Sequence, residues 1–190
     1  MTNKNIYSLL AILISIFIVN NTIYAGPNKQ SACYLDMDIT TRAYNNLDAF
    51  DIESSIIGYA GDNIIIGVLV QNVSNMDTFQ VEVSYDPSLL SFVAAAEDMP
   101  MKGIKNILKS NGGTTLGFQA TEKNVGTINI TNTLTGNDPS IAPEGTGLVA
   151  LLKFKVLSGK SVSLEMKNVI FVDSAQSEDH ISLLHGGKIN

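Results

Sequence analysis

Catalysis and metal binding need convergent groups, and the first candidates are His180, His185 and Cys33, the chain's complete set of imidazoles and thiols. Both histidines lie near the C-terminus, far from the cysteine, with no tight carboxylate cluster to complete a zinc set. No G-x-S-x-G elbow, phosphate-cradling glycine loop or EF-hand-type calcium loop occurs. Asn137 and Asp138 are too loosely spaced from Glu144 to stand as a calcium site. Asp62, Asp86 and Asp173 sit where turns call for a side-chain acceptor of backbone N–H groups. The chain therefore reads as non-catalytic, with no metal and no cofactor. What does recur is hydrogen-bonding chemistry at every second position. Thr78, Gln80, Glu82 and Ser84 form one such row and Thr127, Asn129, Thr131 and Thr133 another, with Thr115, Gln119, Ser163 and Glu165 at the margins. Hydroxyls and amides in such rows can bond to a docked macromolecule and still be well solvated when free.

A period of two belongs to β-strands, whose successive side chains point to opposite faces. Phe79, Val81, Val83 and Tyr85 alternate with the first row, and Ile128, Ile130 and Leu134 with the second. Leu116 and Phe118 alternate with Thr115 and Gln119, and Val162, Leu164 and Met166 with Ser163 and Glu165. One sheet is thus apolar inside and polar outside. A second set of strands is apolar on both faces. Residues 63–73 place Ile64, Ile66, Val68 and Val70 opposite Ile65 and Leu69. Residues 147–157 place Val149 and Leu151 opposite Ala150, Leu152, Phe154 and Val156. Such an outer apolar surface needs a cover. Either the alternating Leu35, Met37 and Ile39 segment lies over it, or a partner does. Ile104, Ile107 and Leu108 fall at helical spacing among Lys102, Lys105 and Lys109, which predicts one short amphipathic helix or turn within 97–113, its basic side solvated.

The first 25 residues carry Lys4 and then an apolar run from Leu9 to Val19, too short for a comfortable span. They read as a secretory signal peptide cut after Ala25, with an uncleaved anchor as the alternative. Cleavage leaves 11 of the 12 Lys and Arg residues against all 18 Asp and Glu, a net charge of −7. So acidic a chain has no electrostatic footprint for nucleic acid and is repelled by anionic membranes. Residues 26–50 read as an N-terminal extension and 51–190 as one domain. A single cysteine forms no internal disulfide, and Cys33 reads as an incidental exposed thiol in a linker or as an intermolecular link.

Five short motifs follow one another: Gly61-Asp62, Phe79 to Pro87 (FQVEVSYDP), Gly147 to Val156 (GLVALLKFKV), Phe171-Val172-Asp173, and Gly186-Gly187. The ordered set resembles the cohesin domain, the β-sandwich receptor with which bacteria dock dockerin-bearing proteins outside the cell. In that family a Gly-Asp opens the second strand, Tyr-Asp-Pro ends the third, a Phe-Lys-Val-like run forms the seventh, and Phe-x-Asp precedes a Gly-Gly close. The resemblance implies an all-β fold, a nine-stranded two-sheet sandwich with jelly-roll topology. It also implies a secreted docking module whose partner is a dockerin-like protein in an extracellular, polysaccharide-associated assembly. Calcium in such pairs belongs to the dockerin. The polar rows above then become the partner-binding face. Cohesins of the best-known type carry an Asn and an Asp on the strand leading to Tyr-Asp-Pro, where they recognise a dockerin Ser-Thr pair. Counting back from Tyr85, those places hold Thr78 and Gln80. Two other readings stand beside docking. A carbohydrate-binding module shares the architecture, but such modules rely on exposed aromatic platforms, and this chain has no Trp and only Tyr59 and Tyr85 within the domain. A structural subunit of a surface layer would assemble through exposed sheet edges and the apolar outer sheet.

Overall fold

The computed structural model describes residues 26–40, 51–136 and 138–190. The expected signal peptide, residues 41–50 of the expected extension, and Asn137 lie outside the described residues. The regular secondary structure of the described residues is almost entirely strand. In chain order these are β1 (Ala32–Asp36), β2 (Ser55–Ile56), β3 (Asn63–Val73), β4 (Met76–Ser84), β5 (Leu90–Ala96), β6 (Thr115–Asn124), β7 (Thr127–Leu134), β8 (Gly145–Val156), β9 (Val162–Asp173), β10 (Glu178–His180), β11 (Leu183–His185) and β12 (Gly187–Ile189). They form two sheets. One has the order β11-β1-β3-β8-β5, the other β2-β12-β9-β4-β7-β6 with β10 added beside β9. Pairing is antiparallel except for β1 with β11 and β2 with β12.

The two-sheet sandwich is as the motifs implied, but its nine expected strands become twelve segments, because the C-terminal run breaks into three short pieces and β1 is added from residues 26–50. β10 pairs with β9, β11 crosses to β1 in the other sheet, and β12 returns to β9. Gly186 stands at the second crossing, where a Cβ would collide with the backbone carbonyl of Leu164. The chain can pass between sheets there only without a side chain.

Residues 26–50 contain more than an extension. β1 is a full strand between β3 and β11, with Leu35 opposite Val68 and Cys33 opposite Val70. Its alternation works as a strand should, but the strand takes a place within the sheet, between β11 and β3, instead of lying across it. Cys33, Leu35 and Met37 face the space between the sheets and are buried there. The exposed thiol expected at Cys33 is thus corrected: burial removes it from solvent and pushes its pKa up to about 12, against a smaller opposing effect of the Tyr34 backbone. Upstream of β1, Asn28 is fully buried, its side chain donating to Ser74 O (3.0 Å) and accepting from Ser74 N (2.8 Å).

Phe79, Phe154, Phe171, Leu35, Met37, Ile66, Leu90, Ile128 and Ile130 fill the interior. Each such side chain contributes roughly 1.5–3 kcal/mol by leaving water. In β8 parity fails at Val149, which joins Ala150 in the core because the strand bulges where the register shifts between Val68 and Leu69. The outer apolar surface of the five-stranded sheet carries Leu69, Leu148 and Leu151, and the chain covers it itself. Ile39 and Ile104 pack there, with Ile52 and Met99 at the margin. The short helix or turn expected within 97–113 takes the form of two 3-10 turns, Pro100–Lys102 and Ile107–Lys109, with Ile104, Ile107 and Leu108 buried.

Candidate functional site

β4 lies in the middle of the larger sheet, with β7 and then β6 on one side and β9 on the other. Its buried residues Phe79, Val81 and Val83 fix the parity, so Thr78, Gln80, Glu82 and Ser84 must face outward. The register then sets their neighbours. Thr78 faces Thr133, Gln80 faces Thr131, Glu82 faces Asn129, and Ser84 faces Thr127. On the other flank Glu82 meets Lys167 and Ser84 meets Glu165, and Ser163 continues the face beside Lys188 of β12. Gln119 extends it opposite Thr131. Eleven of the twelve expected face residues therefore share one surface, all half-buried or exposed.

Thr115 is the exception. It pairs with Leu134, whose side chain is buried, and so points to the inner side, where its hydroxyl donates to Glu97 Oε2 at 2.9 Å. Leu116, expected inside, takes the outward place opposite Thr133 and is 66% exposed. The cause is a bulge: Gly117 adopts φ 87°, two residues of β6 oppose one of β7, and only Phe118 turns back to the core. Asn168, at φ 49°, marks a similar bulge in β9, beyond which Ile170 and Val172 become half-buried members of the face. Leu116, Ile170 and Val172 are the face residues that strict alternation missed; Thr121 and Lys167, in phase with Gln119 and Glu165, and His180, beside Ile170, join the face as further members. The glycine inside β6 was the one available signal.

Thr78 and Thr133 hold their hydroxyls 2.6 Å apart, and Asp77, itself buried, accepts from both, at 3.1 Å and 3.4 Å. These two hydroxyls are oriented before any partner arrives. Glu82 accepts from Asn168 Nδ2 at 3.2 Å. Asn129, at the centre, has a buried Oδ1 with no hydrogen-bond partner, an acceptor left open beside Glu82. Lys167 and Glu165 form an exposed ion pair at 3.6 Å, worth ~0–1 kcal/mol. The surface is thus polar, partly preorganised and mixed in charge, with aliphatic side chains at two margins.

The three acids expected at turns behave as turn residues. Asp86 accepts the Ser88 hydroxyl (2.7 Å) and amide (2.8 Å), which hold its carboxyl below the usual range. Asp62 accepts the Tyr59 amide at 2.8 Å and Asp173 the Ser177 amide at 2.8 Å. Tyr85 points inward onto Phe154, edge to face with centroids 5.1 Å apart. Burial, then its hydrogen bond to Glu122, pushes its pKa up to about 12. The basic side expected for 97–113 is not uniformly free: Lys109 bonds Glu97 Oε1 at 2.6 Å and also Asp98. Among the described residues no group of three or more His, Cys, Asp or Glu side chains is placed to hold a metal.

Two facing, mainly antiparallel sheets, one of them polar on its outer side, define a β-sandwich. The cohesin domain family model matches residues 51–189, and the chain belongs to the cohesin domain family. Among solved structures the chain is similar to a type II cohesin domain from the cellulosome of Acetivibrio cellulolyticus, with TM-score 0.55, 20% identity, and 83% of this chain and 94% of that one covered. A type I cohesin–dockerin complex from Clostridium thermocellum matches with TM-score 0.56 and 16% identity, over 71% of this chain and 87% of that one. A non-cellulosomal cohesin from the archaeon Archaeoglobus fulgidus matches with TM-score 0.53 and 13% identity, over 73% and 87%. No curated protein matches the chain.

Proposed function

We propose that this chain is a secreted, non-catalytic docking module that binds a dockerin-like protein through the outer face of its larger sheet. The observation that carries the reading is the continuous polar grid from Gln119 through Thr131 and Gln80, and from Asn129 through Glu82 to Lys167, on a chain of the cohesin family. A face of hydroxyls and amides gives up little on exposure and gains specificity when a partner completes its hydrogen bonds. The face residues proposed to meet the partner are Thr78, Gln80, Glu82, Ser84, Gln119, Thr127, Asn129, Thr131, Thr133, Ser163 and Glu165. Thr78 and Gln80 occupy the two places where the best-known cohesins carry Asn and Asp, so the partner's contact residues differ from a Ser-Thr pair. Export through the N-terminal leader places the module outside the cell, in a polysaccharide-associated assembly.

The sugar-binding alternative is less favoured by the face itself, which presents no Tyr, Phe or Trp; the exposed Tyr59 belongs to the loop before β3. The test is capture from the source secretome on immobilised protein, run beside a Gln80→Ala, Asn129→Ala double variant. Recovery of a protein with duplicated calcium-loop helices on the native face alone supports docking. Retention on insoluble polysaccharide with no protein captured would overturn it.

A further inference from the structure

The first described residue of the chain, Gly26, lies against a buried carboxylate. A Cβ built on Gly26 would fall within contact of Asp179 Oδ2 and stand 3.0 Å from Oδ1. The Gly26 nitrogen shares that Cα and stands about 2.5 Å from the Cβ position, and so lies within roughly 5 Å of Oδ2. Asp179 is the central residue of β10, opposite Phe171, and is only 5% exposed. Its Oδ2 accepts the Asn28 amide at 2.8 Å. A carboxylate withdrawn from water is costly unless a cation or several donors compensate it.

From this we infer that the Asp179 carboxylate is a binding site for the α-ammonium group created when the leader is removed after Ala25. The inference rests on the export reading and goes beyond it. In the precursor the Gly26 nitrogen is a neutral amide. Hydrolysis of the Ala25–Gly26 bond adds water across it, leaving a carboxylate on Ala25 and an amino group on Gly26 that takes up a proton. That charge arises beside Asp179. Gly26 is required because any side chain would occupy the space between the backbone and the carboxylate. Asn28 holds the segment in place from the other side, through its bonds to Ser74, so that removal of the leader tightens residues 26–31 onto the β3–β4 turn and β10.

The test starts from the full precursor expressed in an exporting host. Mass spectrometry of the released protein must find a chain beginning at Gly26; a different N-terminus overturns the cleavage site on which the inference depends, before any stability is measured. A second precursor carries one serine inserted between Ala25 and Gly26, which moves the amino group about 3.8 Å back along the chain. Its melting temperature is expected to fall by roughly 2–4 °C in the native background. With Asp179→Asn the same insertion should have no effect. An insertion that costs the same in both backgrounds, or nothing in either, overturns the pairing. If Asp179→Asn does not fold, selective acetylation of the α-amino group of the native exported chain gives the same reading: a similar fall supports the pairing, and an unchanged melting temperature overturns it.

Discussion

Lys109 Nζ lies 2.6 Å from Glu97 Oε1, and Glu97 Oε2 in turn accepts from Thr115 Oγ1 and Asn132 Nδ2. The pair joins the segment after β5, in one sheet, to β6 and β7 in the other. Neighbouring Asp98 also bonds Lys109 and accepts the Asn106 amide at 2.7 Å. Asn106 extends the network to Val149 O at 2.6 Å. At this side of the sandwich a polar network holds the sheets alongside the packing of Ile107, Leu108 and Leu134.

Replacing Lys109 by Met should therefore destabilise the fold by about 1–3 kcal/mol, because two half-buried carboxylates lose their shared cation. Burial alone would push the Lys109 ammonium down, but its hydrogen bonds to Asp98 and Glu97 outweigh that and raise its pKa. The stabilisation is then complete below the ordinary lysine value of 10.5 and is lost as pH rises through the higher folded value. Denaturant melts of both proteins from pH 7 to 11 check this. The gap between them should be constant up to about pH 10 and narrow above it.

Cys33 is predicted to be inert. With its thiol fully buried and its pKa raised to about 12, the native protein should not react with iodoacetamide at neutral pH. Full labelling should appear only in denaturant, as read by intact mass. Rapid labelling of the folded protein would contradict the placement of β1 inside the sandwich.

Ile104 covers Leu69, Leu148 and Leu151 on the far side of the smaller sheet. Ile104→Ala should cost about 2–4 kcal/mol and open an apolar patch. Thermal melting gives the first effect and light scattering of concentrated protein the second. An unchanged monomer with native stability would mean that the cover is dispensable.

On the proposed docking face, Gln80→Ala or Asn129→Ala should weaken the captured partner about tenfold each, equivalent to ~1.4 kcal/mol, with little change in melting temperature. Thr78→Val should differ. It removes one of the two hydroxyls that share Asp77, so stability and binding should fall together. Calorimetric titration with the partner, beside melts of each variant, separates the two cases.

Period-two alternation was sufficient to orient β4, β7 and the first half of β9, since each of these strands buries Phe, Val, Ile, Leu or Met at every second position, with Asn132 in β7 the one polar interruption. It failed at Thr115 and Leu116. A bulge at Gly117 inserts one residue, and a one-residue slip exchanges the two faces of everything before it. Cys33 failed for another reason. A five-residue strand amid polar neighbours has too little pattern of its own, and its burial comes from Val68 and Val70, more than thirty residues downstream.

From the sequence alone came the class of fold, the order of its motifs, the acidic charge of the domain and the outward rows on β4 and β7. All are encoded locally, in alternation and in turn residues that act through their immediate neighbours. Tertiary structure decided the rest: that β1 belongs to the smaller sheet, that Ile39 and Ile104 seal its outer surface, that Lys109 is paired, and that Gly26 meets Asp179. Those contacts join residues distant in sequence, and their geometry exists only after strand register and bulges have brought them together.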